Sequence, residues 1–142
     1  MARILTKVVP VLTASIAAAG FVLVIEGAQA AAPKGDAKNG AAVFMDNCGV
    51  CHTAEKGAAN KIGPNLFGVV GRKSATAPAY MYSPAMMKAG LTWDVPTLEV
   101  YLMGPQKKVP GTKMVFPGLK SGDDIANVIA YLKQFGPDGK KI

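Results

Sequence analysis

The chain has 142 residues, with 16 Lys+Arg against 9 Asp+Glu, two cysteines and one histidine. That length holds one ordinary domain, two cysteines exclude a disulfide-dense scaffold, and a lone histidine excludes any site needing several imidazoles from this chain. A formal charge of +7 steers a protein toward acidic surfaces, but no aromatic-basic interleaving accompanies it, so nucleic acid is not expected as a partner.

Residues 1–7 are short and basic through Arg3 and Lys7. Residues 8–25 are almost wholly apolar, and Ala28-Gln29-Ala30 precedes Ala31. These are the three regions of a secretory signal with a small-residue cleavage site. Residues 1–30 are therefore expected to be a signal peptide and residues 31–142 the exported domain, placed in the periplasm. The alternative is an uncleaved membrane anchor, since 18 apolar residues lie at the lower edge of spanning length. Pro10, Gly20 and Glu26 weaken that reading. Removing Arg3, Lys7 and Glu26 leaves 14 basic against 8 acidic residues.

After a short linker, Asp36 is placed to cap a first helix. Gly40, Phe44 and Cys48 recur every four residues and share one face. Glycine inside a helix is unfavourable by about 1 kcal/mol against alanine, so Gly40 predicts the close approach of another backbone. The helix leads into Cys48-Gly49-Val50-Cys51-His52. Cys-x-x-Cys-His is the signature of covalent haem attachment. Each thiol forms a thioether with a haem vinyl group, and the following imidazole meets the iron from one face. A redox disulfide or half a zinc site uses the same pair of cysteines, but zinc would need two further ligands and the chain has no third cysteine or second histidine. Two cysteines leave room for one covalent haem. With His52 the only histidine, the sixth ligand is a methionine, a lysine or nothing.

Residues 53–62 are polar and glycine-containing and read as a loop. In Gly63-Pro64-Asn65-Leu66 the proline lacks an N–H, and its carbonyl is a suitable acceptor for the free N–H of His52, or else Pro64 simply makes a turn. Residues 71–82 show no periodicity. Ser83-Pro84 opens a short helix through Lys88 and Ala89, stopped by Gly90. Asp94 caps another, with Leu98, Tyr101 and Leu102 as its apolar stripe and Gly104-Pro105 as its end. Residues 106–120 read as loop. Ser121 caps the last helix, with Asp123 and Asp124 at its positive end and Ile125, Val128, Ile129 and Leu132 at helical spacing. No strand signal of useful length appears, so the expected class is all-α.

Methionine occurs at 45, 81, 86, 87, 103 and 114 beyond Met1. Met45, Met86, Met87 and Met103 fall on predicted helices, where core packing is the default. Met114 differs, lying in the stiff non-helical stretch Pro110-Gly111-Thr112-Lys113-Met114-Val115-Phe116-Pro117. Such a loop suits a thioether held against iron, although spacing leaves the other methionines open.

Taken together, the stretches 35–40, Cys48 to His52-Thr53, 63–66, Gly71-Arg72-Lys73, Leu91-Thr92-Trp93, 110–114 and 129–132 resemble a class I cytochrome c of the mitochondrial-like bacterial c2 group. The likeness runs from Gly35 to Phe135. It implies the small helical class I cytochrome c fold wrapped around one haem c, attached through Cys48 and Cys51. It implies His52 and Met114 as axial ligands, with Pro64 accepting from the histidine. Arg72, Tyr82, Trp93 and Thr112 match positions around the haem propionates, Tyr101 the tyrosine near the methionine sulfur, and Phe116 the aromatic at the haem edge. Two departures stand out: Met86 replaces a polar residue and dries that pocket, and Gln106 interrupts the lysine cluster.

The function so implied is one-electron carriage, not enzymatic turnover, in a respiratory or photosynthetic chain. A bc1-type complex would donate, and an oxidase, a peroxidase or a photosynthetic reaction centre would accept. A basic rim drawn from Lys61, Lys73, Lys107, Lys108, Lys113 and Lys120 would meet acidic patches on these partners, the carrier being a monomer. The alternatives are the same carrier tethered by an uncleaved N-terminal helix, or a haem peroxidase or small-ligand sensor with labile methionine ligation.

Overall fold

The computed structural model describes residues 34–136; the targeting segment expected at 1–30 lies outside them. Five helices follow in chain order: α1 Ala37–Asn47, α2 Pro84–Lys88, α3 Val95–Met103, α4 Pro105–Lys108 and α5 Gly122–Lys133. Among the described residues the only β pairing is an isolated antiparallel bridge between Lys73 and Thr92.

The caps explain where the helices begin. Asp36, Ser83, Asp94 and Ser121 each accept a backbone N–H from the first turn with their side-chain oxygens, at Asn39, Met86, Thr97 and Asp124. Such a bond satisfies one of the N–H groups that a helix start leaves without a partner. Pro84 and Pro96 sit in first turns, where the missing N–H removes no helical bond.

α1 and α5 pack directly on each other. Gly40 and Gly35 make this possible: a Cβ at Gly40 would overlap the Asn127 carbonyl and lie 2.9 Å from Tyr131 Cβ, and one at Gly35 would overlap the Ala126 carbonyl. The Asp36 N–H also donates across the junction to Asn127 Oδ1 at 2.7 Å. Phe44, Tyr131 and Phe135 pack in sequence, tilted and then edge-on, at 5.1 and 5.0 Å between ring centroids. Ile125, Val128, Ile129 and Leu132 of α5 join Phe44, Trp93, Leu98, Tyr101 and Leu102 in one core.

Two expectations are corrected. The stretch expected to be loop after Gly104 begins with α4. Pro105 stops α3 but supplies a preset first residue for a new turn, and the N–H groups of Lys107 and Lys108 donate to the Gly104 carbonyl, each at 3.0 Å. Helical methionines were also expected in the core. Met86 is buried, but Met45, Met87 and Met103 are 64%, 60% and 53% exposed. Their helices are short and amphipathic, so position around the axis decides burial, and only Met86 falls on the inner side.

Candidate haem-binding site

The end of α1 sets the geometry of the motif. The N–H groups of Cys48 and Gly49 both donate to the Phe44 carbonyl at 2.8 Å, and those of Cys51 and His52 donate to the Cys48 carbonyl at 3.0 and 2.8 Å. One continuous turn therefore carries both thiols and the imidazole. Both cysteines are free and partly buried. Burial, and then the neighbouring Cys51, push the Cys48 thiol up to about 11. A redox-active thiol needs the opposite shift, so Cys48 lacks the lowered pKa of an exchange-active nucleophile. Among the described residues, no group of three or more His, Cys, Asp or Glu could hold a metal ion.

His52 is held in one orientation. Its Nδ1 lies 2.7 Å from the Pro64 carbonyl oxygen. A carbonyl only accepts, so Nδ1 carries the hydrogen and Nε2 keeps its lone pair. Burial lowers the imidazole pKa; the Pro64 bond opposes this and the Lys61 charge assists it. The neutral imidazole is the form that binds metals. Gly63 lies against the ring, and a Cβ there would sit 2.7 Å from Nδ1 and 2.8 Å from Nε2, and closer still to Cε1.

Met114 lies on the loop after α4. The Tyr101 hydroxyl donates to Met114 Sδ at 3.3 Å, and Tyr101 in turn packs on Trp93 with ring centroids 4.7 Å apart. Thr112 is buried, and its Oγ1 accepts from the Met114 N–H at 3.4 Å. Cys48, Tyr82, Met114 and Phe116 are partly buried side chains packed on the same core.

Arg72 and Tyr82 form a third group. Arg72 Nη1 donates to the Phe67 carbonyl at 2.6 Å and Nη2 to that of Asn65 at 3.3 Å, while its Nε is buried with no partner. A buried N–H left unpaired costs about 1–3 kcal/mol. A carboxylate such as a haem propionate is the acceptor this donor lacks. Burial lowers the pKa of Arg72 and raises that of Tyr82. The Tyr82 oxygen accepts from the Ala77 N–H at 3.2 Å, leaving its own hydrogen free to donate. Trp93 is tied to the same segment, its N–H donating to the Arg72 carbonyl at 2.9 Å.

The residue set fits a haem. It offers two thiols, an imidazole nitrogen with a free lone pair, an oriented thioether and a buried guanidinium N–H without a partner, suited to a propionate. Two residues without an assigned role in the sequence complete the frame. Asn65 binds the Glu55 and Ala58 carbonyls through Nδ2, at 2.9 and 2.8 Å, and receives the Phe67 N–H on Oδ1. Gln106 reaches the Met114 loop. Its signal was visible only as an amide among lysines.

The family model for cytochrome c matches residues 37–136. Cytochrome c of Sesamum indicum is 50% identical over 103 residues, covering 72% of this chain and 93% of the relative. Cytochrome c2 of Rhodoplanes tepidamans is 50% identical over 100 residues, 70% of this chain and 94% of its own. Among solved structures, cytochrome cH from Methylobacterium extorquens superposes with a TM-score of 0.65 at 49% identity, covering 70% of this chain and 98% of that one. The match takes in Cys48, Cys51 and His52 as well as the helical frame, and the chain belongs to the cytochrome c family, as a carrier of electrons on one covalent haem c and not an enzyme.

Proposed function

We propose that the protein is a soluble periplasmic one-electron shuttle whose haem iron is held by His52 and Met114. The observation that carries this reading is the His52–Pro64 bond, which leaves Nε2 as the available ring nitrogen. When bound, the haem supplies a ferric/ferrous couple, and methionine ligation raises its potential. The chain's own residues supply the rest. Pro64 fixes the imidazole, Tyr101 orients the sulfur, and Arg72, Tyr82, Trp93 and Thr112 would hold the propionates. Phe116 would line the haem edge. Because these side chains are held by hydrogen bonds and packing, little must move when an electron arrives or leaves.

Residues 1–30 act as a cleaved export signal in this reading, and no helix among the described residues is long and apolar enough to cross a membrane. The partners are acidic-patch redox proteins, with a bc1-type complex as donor and an oxidase, peroxidase or reaction centre as acceptor. Lys61, Lys73, Lys107, Lys108, Lys113 and Lys120 are all exposed. Lys61 and Lys113 are held in place by the Gly49 and Met81 carbonyls, at 2.5 and 2.9 Å. Weak, small interfaces of this kind allow rapid release after transfer.

The deciding experiment is the absorption spectrum of ferric holoprotein with Met114→Ala. The parent should show a weak methionine-sulfur band that the variant lacks, and the reduced variant should bind carbon monoxide while the parent does not. A band that persisted in the variant would refute the assignment of Met114.

A further inference from the structure

The four residues of α4 present Gln106 to the loop that carries Met114. Its amide nitrogen donates to two carbonyls, that of Thr112 at 3.1 Å and that of Met114 itself at 3.0 Å. A primary amide has two N–H donors, so both are used on one loop. These bonds matter because the loop has few others. The Thr112 N–H donates to Val109 and the Leu119 N–H to Leu102, and between them no backbone group of residues 113–118 pairs with another backbone group among the described residues.

The base of the strap is firm. Pro105 is fully buried, Val109 is 3% exposed, and the Val109 N–H closes α4 onto the Pro105 carbonyl at 2.9 Å. On the other side of the loop, Lys113 reaches the Met81 carbonyl at 2.9 Å. The loop is thus held from both sides, and on the α4 side the bond is made by a neutral group that neither salt nor ordinary pH releases.

We propose that Gln106 is a positioning residue for Met114, strapping its loop so that the sulfur stays at its post and the axial position opens rarely. This rests on the reading of Met114 as the axial ligand. It also gives α4 a purpose: the extra turn places one amide within reach of two loop carbonyls.

The test uses ferric holoprotein carrying Gln106→Glu, which keeps the shape but has no N–H to donate when ionised, and Gln106→Ala. Two quantities are read. One is the limiting rate of imidazole binding at high imidazole, which reports loop opening. The other is amide hydrogen exchange at Thr112 compared with Ile129 in α5. Losing both hydrogen bonds of the amide should raise the limiting rate about tenfold in both variants and speed exchange at Thr112, with Ile129 unchanged. Limiting rates within threefold of the parent in both variants would overturn the strap while leaving ligation intact. A parent protein without the methionine-sulfur band would overturn the ligation reading, and the strap with it.

Discussion

Replacing Gly63 by alanine tests the imidazole geometry most directly. Gly63 is buried, its N–H donates to the Cys51 carbonyl at 2.8 Å, and its own carbonyl accepts from the Lys61 N–H at 3.0 Å. The backbone is therefore pinned on both sides and cannot retreat from the added methyl. The ring must move instead, since the new Cβ would lie 2.7 Å from Nδ1 where ordinary contact begins at 3.4 Å. The overlap with Cε1 is deeper still, so the ring must shift by about 0.7 Å or more, enough to break the 2.7 Å bond from Nδ1 to Pro64. Orphaning that donor costs about 1–3 kcal/mol and overpacking costs about 1–3 kcal/mol more. A sum of roughly 2–6 kcal/mol should lower the thermal midpoint of a domain this size by about 10 °C or more. The control is Gly57→Ala, where φ is +76° and a Cβ meets nothing within 4 Å, so only a backbone strain of about 1–2 kcal/mol applies. Thermal unfolding followed by circular dichroism, with the ferric absorption spectrum alongside, reads both. If Gly63→Ala were no less stable than Gly57→Ala and its spectrum were unchanged, the steric argument would be wrong.

Gly40→Ala should destabilise the protein by about 3 kcal/mol or more, because the new carbon would overlap the Asn127 carbonyl, whereas Gly122→Ala, with open space around it, should be neutral or slightly stabilising; urea unfolding of the two compares them. Tyr101→Phe keeps the ring on Trp93 but removes the donor to Met114 Sδ. A sulfur without that bond donates more strongly to ferric iron, so the reduction potential should fall. A net bond of about 0.5–1 kcal/mol corresponds to about 20–40 mV for one electron, measurable by voltammetry, and an unchanged or raised potential would contradict the role given to Tyr101.

Much of the frame was legible because it depends on local chemistry. Asp36, Ser83, Asp94 and Ser121 announce helix starts by residue type, and Gly40 announces a close crossing by being a glycine where alanine would suit the helix better. The Cys48–His52 run is self-contained, its turn closing within five residues. What escaped notice depends on the rest of the fold. α4 was hidden because Pro105 reads equally as a stop and as a start, and the extended backbone at Gly104 decides between them. The exposure of Met45, Met87 and Met103 follows from how each helix is rolled against its neighbours, which hydropathy does not encode in so few turns. Taken alone, without the family resemblance, Arg72 would pass for a surface charge until the Phe67 and Asn65 carbonyls are brought to it, and the two bonds of Gln106 require a loop whose path no local pattern specifies.

The pairing of α1 with α5 also governs the order of assembly. The bond from Asp36 to Asn127 joins residues 91 positions apart, and closing such a span costs about 4 kcal/mol of chain entropy. An 11-residue helix such as α1 is marginal alone in water, so it gains a lasting partner only once the last helix is available. A chain cut short before α5 would have no smaller native state to adopt. Until the two ends meet, Cys48 and Cys51 should therefore lie on loosely structured chain, the state in which thioether formation would meet least steric resistance.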